Sequence, residues 1–236
     1  MSIFTLASSC PASEFEHWWH SQGQWVEPPN QRRGGESGVQ LLQQEGMLLY
    51  CKRQHGHLYR TLRHPLGKPT VLREIQAYQA LSSLGIATPR MIYGCARKRK
   101  DQWQALLVTE ALHGFVSLEQ WYNAADRHMA SQPVLHQLAL TLARLHRARW
   151  QHGCCYPKHI FVRLRPDANG AQQADIALLD LEKSRRRWRI RDASRRDLRQ
   201  LERHRGNIPM ADLDYFYSVY QTALNQTALN NGVATA

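Results

Sequence analysis

Short apolar runs bounded by glycine, proline and asparagine occupy the first third of the chain. They lie around residues 25–26, over residues 39–42 and over residues 47–51. Runs of this length with such boundaries are typical of β-strands. We expect residues 28–30, Pro-Pro-Asn, to break the chain after the first run, and a Gly-rich turn over residues 32–38 to precede the second. The pattern therefore predicts a strand-rich N-terminal region.

Helical periodicity appears on both sides of these strands. Ser13 and Glu16 form a capping-box pattern that opens a short helix. Thr70 can cap a second helix, which is expected to stop at Gly85. Its apolar face consists of Leu72, Ile75, Tyr78 and Leu81. Beyond it, residues 91–93 and 105–109 predict a hairpin with the basic cluster 97–100 at its tip.

The second half of the chain is predicted to be mainly helical. From Pro133 the leucines at positions 135, 138, 142 and 145 recur at helical spacing. Two short strands, residues 160–164 and 176–179, are predicted to flank a turn over residues 166–170. The chain from Ser194 is helical again. This order predicts an α+β fold: a single domain over residues 1–236, with a small β-rich N-lobe over 1–112 and a short mainly helical C-lobe over 113–236.

Length and composition are consistent with a globular protein. The 236 residues include 43% hydrophobic residues, enough for a real core. No apolar run is long enough to cross a bilayer, and residues 1–13 lack the basic and apolar regions of a signal peptide. The five cysteines are odd in number and show no C-x-x-C spacing, which fits a reducing compartment better than a disulfide framework. These observations together favour the cytoplasm.

The basic residues are concentrated in two segments. The formal net charge is +12, with ten arginines over residues 185–205 and four basic residues over 97–100. Such a balance suits a polyanionic partner: nucleic acid, nucleotide phosphates or an anionic membrane surface. A solvent-exposed helix face without a partner is the alternative for each segment.

Phosphoryl transfer requires groups that bind the nucleotide phosphates, a ligand for the metal ion and a group that orients the acceptor hydroxyl. Residues suited to these roles occur along the chain in the order found in kinases. Lys52 follows an apolar strand and can contact the α- and β-phosphates of ATP. Glu74, on the next helix, can pair with Lys52. Asp180 ends a buried strand and can hold Mg²⁺, with His159 as a second metal or phosphate ligand. Backbone N–H groups can approach the phosphates closely at three glycines, Gly34, Gly35 and Gly38.

At this point the chain resembles the lipopolysaccharide core heptose/Kdo kinases of Gram-negative bacteria, including the InaA-type members. The resemblance spans roughly residues 25–201. The matching pieces are residues 50–54, Arg73-Glu74 with 84–89, 152–162, 179–183 and 196–198.

The resemblance implies a protein-kinase-like two-lobed fold and residue roles to match. Lys52 looks like the nucleotide lysine and Glu74 its partner, with Glu110 also in the nucleotide site. His159 stands where most kinases have asparagine. Asp180 is implied as the metal ligand, and Asp197 resembles the buried aspartate that anchors the catalytic loop.

The chain departs from the kinase pattern at Cys154, which occupies the catalytic aspartate position. A thiol is a poor substitute for a carboxylate, and general-base catalysis is worth roughly 10²–10⁴ in rate. A thiolate beside His152 or Lys158 is one way to retain weak base catalysis. The other interpretation is a non-catalytic pseudokinase that acts as a scaffold or stress-response regulator.

Two further hypotheses concern this loop and the arginines. The soft ligands His146, His152, Cys154, Cys155 and His159 are close in sequence, so zinc is conceivable, although their spacing matches no structural zinc pattern. The arginine-rich segment has no groove-reading motif, so the sequence does not predict nucleic acid as its main partner.

The resulting prediction is an ATP- and Mg²⁺-dependent kinase of a sugar hydroxyl on the lipopolysaccharide core or a related envelope glycan. It is expected to use an anionic glycolipid or sugar acceptor in the cytoplasm, with peripheral contact at the inner face of the cytoplasmic membrane.

Overall fold

A computed structural model describes residues 11–32, 34–62, 64–124 and 131–232. Contacts divide the chain into two compact units. The first comprises Met1–Tyr78 and Pro89–Leu112, and the second comprises Gln79–Thr88 and His113–Ala236. Cys10, Arg33 of the predicted turn and most of the N-terminal segment searched for a signal peptide lie outside the described residues.

The first unit contains a five-stranded antiparallel sheet and a small two-stranded one. The elements are α1 (Ala12–His20), β1 (Gln24–Arg32), β2 (Gly35–Gln44), β3 (Met47–His55), β4 (Leu58–Thr61), β5 (His64–Pro69), α2 (Thr70–Ser83), β6 (Met91–Arg99) and β7 (Gln102–Glu110). The last five residues of α2, from Gln79, belong to the second unit. The large sheet has the order β1-β2-β3-β7-β6, and β4 pairs with β5. The predicted β6–β7 hairpin is confirmed, with Lys100 and Asp101 at its tip.

Helix α1 packs against one face of this sheet. Phe15 and Trp18 of the helix are buried in one cluster with sheet residues, which include Leu49, Tyr93 and Leu106. The Arg53 guanidinium of β3 donates to the Trp18 carbonyl oxygen over 3.1 Å and also to the Ser21 carbonyl oxygen. These carbonyls end α1 and have no partner within the helix, so Arg53 satisfies them.

Two local predictions in the first unit are wrong. Helix α1 begins at Ala12 after Pro11, and no side chain caps it, so Ser13 and Glu16 do not form its capping box. Residues 28–30 do not break the chain, because β1 continues through both prolines. The strand tolerates them because it lies at the edge of the sheet and changes register between Glu27 and Asn30.

The cysteine expectation also needs correction. Cys51, Cys154 and Cys155 are free and buried. Cys95, a buried residue of β6, is instead disulfide-bonded. The odd cysteine count and the absence of C-x-x-C spacing carry no information on such a pairing, because distant cysteines are brought together only by the fold.

The second unit is mainly helical. Its elements are β8 (Val116–Ser117), α3 (Leu118–Asn123), α4 (Ser131–Arg147), β9 (Trp150–Gln151), β10 (Ile160–Pro166), β11 (Gln172–Leu178), β12 (Arg185–Arg186), α5 (Ile190–Arg203) and α6 (Met210–Gly232). Helix α4 buries the predicted leucine stripe. The predicted β10–β11 hairpin is confirmed, and the next helix begins at Ile190, four residues before the predicted Ser194.

The second unit places the loop over residues 152–159 between β9 and β10. Asp180 follows β11 with a left-handed backbone (φ 55°), a conformation that Asp tolerates better than most residues. None of the helices in the described part of the chain has the length and apolar character of a membrane span.

Candidate active site

Lys52 and Glu74 form an ion pair in the first unit. Lys52 lies in the middle of β3 and Glu74 in the second turn of α2, and the Lys52 Nζ lies 2.8 Å from the Glu74 Oε2. Their side chains are only 16% and 5% exposed. The predicted approach of these two side chains is therefore confirmed. A partly buried pair of this kind fixes an ammonium group at one place on the sheet surface.

Helix α2 is held in position by a residue that the sequence did not suggest. Gln54, two positions after Lys52, is buried, and its Oε1 accepts from the Thr70 hydroxyl over 2.9 Å and from the Val71 N–H over 3.2 Å. Both donors belong to the first turn of α2, where N–H groups have no intrahelical acceptor. Gln54 thus joins the strand of Lys52 to the helix of Glu74.

The three glycines of the predicted phosphate-binding turn lie at the β1–β2 connection and in β2. Gly34 has φ 73° and open space around it. Gly35 lies so close to the backbone of residues 55–57 that an added Cβ would come within 2.2 Å of it. Gly38 packs against Trp25 and Pro29 in the same way. The close approach at Gly35 and Gly38 is therefore to neighbouring strands. Glu110, at the end of β7, accepts from Arg90 over 2.7 Å.

In the second unit, two residues of α5 hold the loop that follows β9. The buried Asp197 accepts from the backbone N–H groups of His152 (2.6 Å) and Gly153 (2.8 Å). Gln200, one turn later, accepts from the Cys155 N–H over 3.1 Å and donates to the Gly153 carbonyl oxygen over 3.1 Å. Asp197 has the loop-anchoring contacts expected of it. Gln200 was missed, although its i,i+3 spacing from Asp197 places both on one helix face.

The two histidines nearest this anchor are buried. His146 of α4 lies between the Asp197 Oδ2 (3.2 Å from Nε2) and the Tyr220 hydroxyl (2.8 Å from Nδ1). The His152 Nδ1 accepts from the Cys154 N–H over 3.2 Å, and its Nε2 is buried without a partner among the described residues. Burial lowers the pKa of His152, so its imidazole is neutral at neutral pH.

Cys154, His159 and Asp180 form a compact cluster. One ligand atom from each lies within 4.8 Å of the other two. The His159 Nδ1 is 2.9 Å from the Cys154 carbonyl oxygen and 3.6 Å from the Asp180 Oδ2. The His159 and Asp180 side chains are 18% and 35% exposed, while Cys154 is buried. The cluster is therefore buried on the cysteine side and open to solvent on the aspartate side.

The hypothesis of a Cys154 thiolate is wrong. Burial and the nearby Asp180 carboxylate, whose effect exceeds the opposing effect of Lys183, raise the pKa of Cys154 to about 12. The thiol is therefore protonated at neutral pH and cannot act as a base. His152 contacts the Cys154 backbone instead of its thiol, and Lys158 is exposed at the loop surface.

The set of zinc ligands expected from the sequence is wrong. His146 and His152 are bound to Asp197, Tyr220 and the loop backbone, and the buried Cys155 lies outside the cluster. The donors that the fold brings together are Cys154, His159 and Asp180. Mg²⁺ commonly binds one or two carboxylates together with waters and substrate phosphates. Asp180, the most exposed of the three, fits that requirement.

The arginine-rich segment, residues 185–205, forms a strongly basic surface. Nine of its ten arginines are exposed, and none forms an ion pair with a described residue. Of its three acidic residues, Asp197 is buried in the loop anchor and Glu202 accepts from Tyr217. Burial, together with the charges of Arg187 and Arg196, lowers the pKa of Arg185. Trp188 lies among these arginines and is 91% exposed.

Comparisons with known proteins place this arrangement in context. A family model described as "Lipopolysaccharide kinase (Kdo/WaaP) family" matches residues 16–220. The chain is 40% identical to "Protein InaA" of Escherichia coli (strain K12) over 225 residues, which cover 91% of this chain and 100% of the relative. A solved structure titled "WaaP in complex with acyl carrier protein" superposes with a TM-score of 0.63 at 20% identity, covering 89% of this chain and 82% of that one. At this identity, the structural likeness shows a shared fold.

Proposed function

Because this chain belongs to the lipopolysaccharide kinase (Kdo/WaaP) family, we propose that it transfers a phosphoryl group from ATP to a sugar hydroxyl. The acceptor is a sugar of the lipopolysaccharide core or a related envelope glycan. The observation that carries the proposal is the Lys52–Glu74 ion pair, which holds an ammonium group at 2.8 Å from a nearly buried carboxylate. Kinases of this fold use such a pair to position the α- and β-phosphates.

Each unit contributes residues to this activity. In the first unit, Glu74 orients Lys52 toward the nucleotide phosphates, and Gln54 keeps the helix of Glu74 in register with β3. In the second unit, Asp180 binds the metal ion that accompanies ATP. ATP with Mg²⁺ supplies the phosphoryl group and neutralises its charge when bound. Asp197 and Gln200 keep the loop of Cys154 and His159 in one conformation.

The reaction does not depend wholly on a base. Phosphoryl transfer passes through a loose transition state, so that positioning and charge stabilisation supply most of the catalysis. Cys154 is buried and its thiol is neutral, so it supplies no base. We therefore expect slow transfer from an otherwise intact set of residues.

Nucleotide binding and phosphotransfer by purified variants test the proposal. Lys52→Met should reduce transfer at least about a hundredfold, the usual cost of removing one charge-stabilising donor. Lys100→Met, at the exposed tip of the β6–β7 hairpin, is the charge-matched control and should leave transfer unchanged. Asp180→Asn should weaken ATP binding in Mg²⁺ far more than in EDTA. The proposal would be contradicted if the wild type bound ATP equally with and without Mg²⁺, and no more tightly than Lys52→Met and Asp180→Asn.

A second candidate function is favoured by the chemistry of Cys154. A buried thiol whose pKa is raised to about 12 is the wrong group for the catalytic position. The alternative is a non-catalytic pseudokinase that acts as a scaffold or stress-response regulator. It is distinguished by ATP binding that depends on Lys52 without transfer to any core sugar.

The basic surface of residues 185–205 supports a peripheral location at the inner face of the cytoplasmic membrane. Arginines attract the phosphates of anionic lipids, and tryptophan prefers the level of the lipid headgroups. Trp188 lies exposed among arginines that lack ion-pair partners within the described chain. An acceptor attached to a membrane lipid would be reached from such a location.

A further inference from the structure

The loop of the second unit brings together three donors of different hardness. Cys154 contributes a thiol, His159 an imidazole and Asp180 a carboxylate. An oxygen-loving ion such as Mg²⁺ has only one preferred ligand in this set. Zn²⁺ binds all three donor types, and many zinc sites with three protein ligands keep a fourth position for water or substrate. The presence of cysteine at position 154 therefore changes which metal ion the cluster prefers.

We propose that Cys154 Sγ, a His159 ring nitrogen and an Asp180 carboxylate oxygen bind Zn²⁺, or another borderline-soft divalent cation, in the nucleotide-free protein. This proposal does not depend on phosphotransferase activity. It differs from the zinc set expected from sequence spacing, because only the fold brings Asp180 to the loop.

The distances are compatible with this site. Zinc bonds of about 2.0–2.3 Å in a tetrahedron place ligand atoms roughly 3.3–3.8 Å apart. The three ligand atoms lie within 4.8 Å of one another, and the His159 Nδ1 is 3.6 Å from the Asp180 Oδ2. Because this nitrogen donates to the Cys154 carbonyl oxygen over 2.9 Å, it must give up that hydrogen bond to bind the ion. Closing the remaining gap takes a shift of about 1 Å, which side-chain torsions can supply.

Two charged groups contact the Cys154 thiol. Asp180 carries a negative charge that attracts a cation, and a coordinating thiol gives up its proton. The Lys183 ammonium also contacts this thiol, so the ion must displace it on binding. Binding forms the Zn–S bond and releases the Cys154 proton to solvent. The exposed side of Asp180 gives the ion a route from solvent and leaves a fourth position for water. Asp197 and Gln200 hold the loop backbone on both sides of Cys154, so only side-chain torsions need to adjust when the ion binds.

The experiment uses the full-length protein and two metals. Zinc titration with a competing chelator gives affinity and stoichiometry, and Co²⁺ reports sulfur ligation through a thiolate-to-cobalt charge-transfer band. The wild type should bind one Zn²⁺ in a large excess of Mg²⁺ and show the band with Co²⁺. Cys154→Ser should lose the band and lose more than about tenfold in zinc affinity, the loss that even an outer-shell partner can cause.

Two controls keep the result specific. Cys155→Ala and Cys51→Ala remove the other free buried thiols and should keep both the band and the zinc affinity. Asp180→Asn alters the most exposed ligand; it should fold even if Cys154→Ser does not, and it should weaken zinc binding while retaining the sulfur band. Co²⁺ binding without a sulfur band, or equal zinc affinity in the wild type and Asp180→Asn, would overturn the proposal.

Discussion

Cys154 limits the chemistry of the loop at the scale of one side chain. Its thiol is buried and protonated, because burial and Asp180 raise its pKa to about 12. Cys154→Asp would place a carboxylate at the position where most kinases of this fold have one. We expect this change to raise phosphotransfer to a core sugar by roughly tenfold to a thousandfold, the contribution of a general base. Initial rates of sugar phosphorylation at saturating ATP measure it.

The matched control is Cys154→Ala, which removes the thiol without adding a base and should stay as slow as the wild type. An Asp variant that is slower than the wild type would show that the thiol has a role of its own. If neither protein transfers phosphate while both bind ATP, the scaffold function is favoured.

The buried imidazole of His152 predicts a loss of stability in acid. Burial lowers its folded-state pKa below the usual value near 6.5, so the unfolded chain binds a proton that the folded chain does not. Stability is then full above about pH 6.5 and falls as the pH drops toward the folded-state pKa, by at most about 1.4 kcal/mol per pH unit from this residue. Urea denaturation at several pH values between about 5 and 7.5 measures the slope.

His152→Asn is the informative variant for this prediction. The Asn side chain can still accept from the Cys154 N–H but does not titrate, so the free energy of unfolding should vary less steeply with pH over that range. Equal slopes for the two proteins would assign the acid sensitivity to other groups.

Arg53 joins two elements of the first unit. Its guanidinium donates to carbonyl oxygens at the C-terminal end of α1 and to the Gln40 side chain on β2. Lysine cannot reach several acceptors in fixed directions. We expect Arg53→Lys to lower the free energy of unfolding by about 2 kcal/mol, the value of lost hydrogen bonds to a charged group. Chemical denaturation measures the change.

Arg60→Lys serves as the comparison, because Arg60 is exposed on the short strand β4 and should change stability by less than about 0.5 kcal/mol. Equal stabilities of the two variants would mean that α1 is held by Phe15 and Trp18 alone.

Elements with strong periodicity could be predicted from sequence, and their ends could not. The leucine stripe of α4 and the β6–β7 hairpin follow from local pattern, because each apolar face repeats over several turns or residue pairs. The continuation of β1 through two prolines depends on its place at the sheet edge, which is a property of the sheet. The start of α1 at Ala12 was missed because a capping pattern competes with proline at the N-cap.

At the scale of the whole chain, some site residues could likewise be predicted from sequence and others could not. Motif order predicts roles for Lys52, Glu74 and Asp180, and of these predictions the contact between Lys52 and Glu74 is confirmed. Gln54 and Gln200 were not recognisable, because glutamine carries no motif and its role comes from partners 16 to 47 residues away. Asp180 and His159 were expected to lie together as metal ligands, whereas the addition of Cys154 to them depends on the path of β10 and β11.

Net charge acts over the whole molecule, so any anionic surface attracts this protein to some extent. The formal charge of +12 would give weak, salt-sensitive binding wherever the basic residues lay. Local recognition by the arginine-rich segment is therefore tested only by variants of equal net charge. One variant changes Arg186, Arg189 and Arg191 to Gln. The other changes Arg60, Lys98 and Lys100 to Gln, all of them exposed and remote in sequence.

We expect the first variant to bind anionic lipid vesicles about tenfold to a hundredfold more weakly than the second at low ionic strength. Each basic residue near such a surface contributes about 1 kcal/mol, and tenfold in affinity corresponds to about 1.4 kcal/mol. Trp188→Ala should weaken binding without any change in charge, because it removes an exposed interfacial ring. Vesicle sedimentation over a salt series measures all three. Equal binding by the two charge-matched variants would show that net charge alone, and not the arginine-rich segment, causes the attraction. Tighter binding to a nucleic acid or an acidic protein would identify that class of molecule as the partner instead.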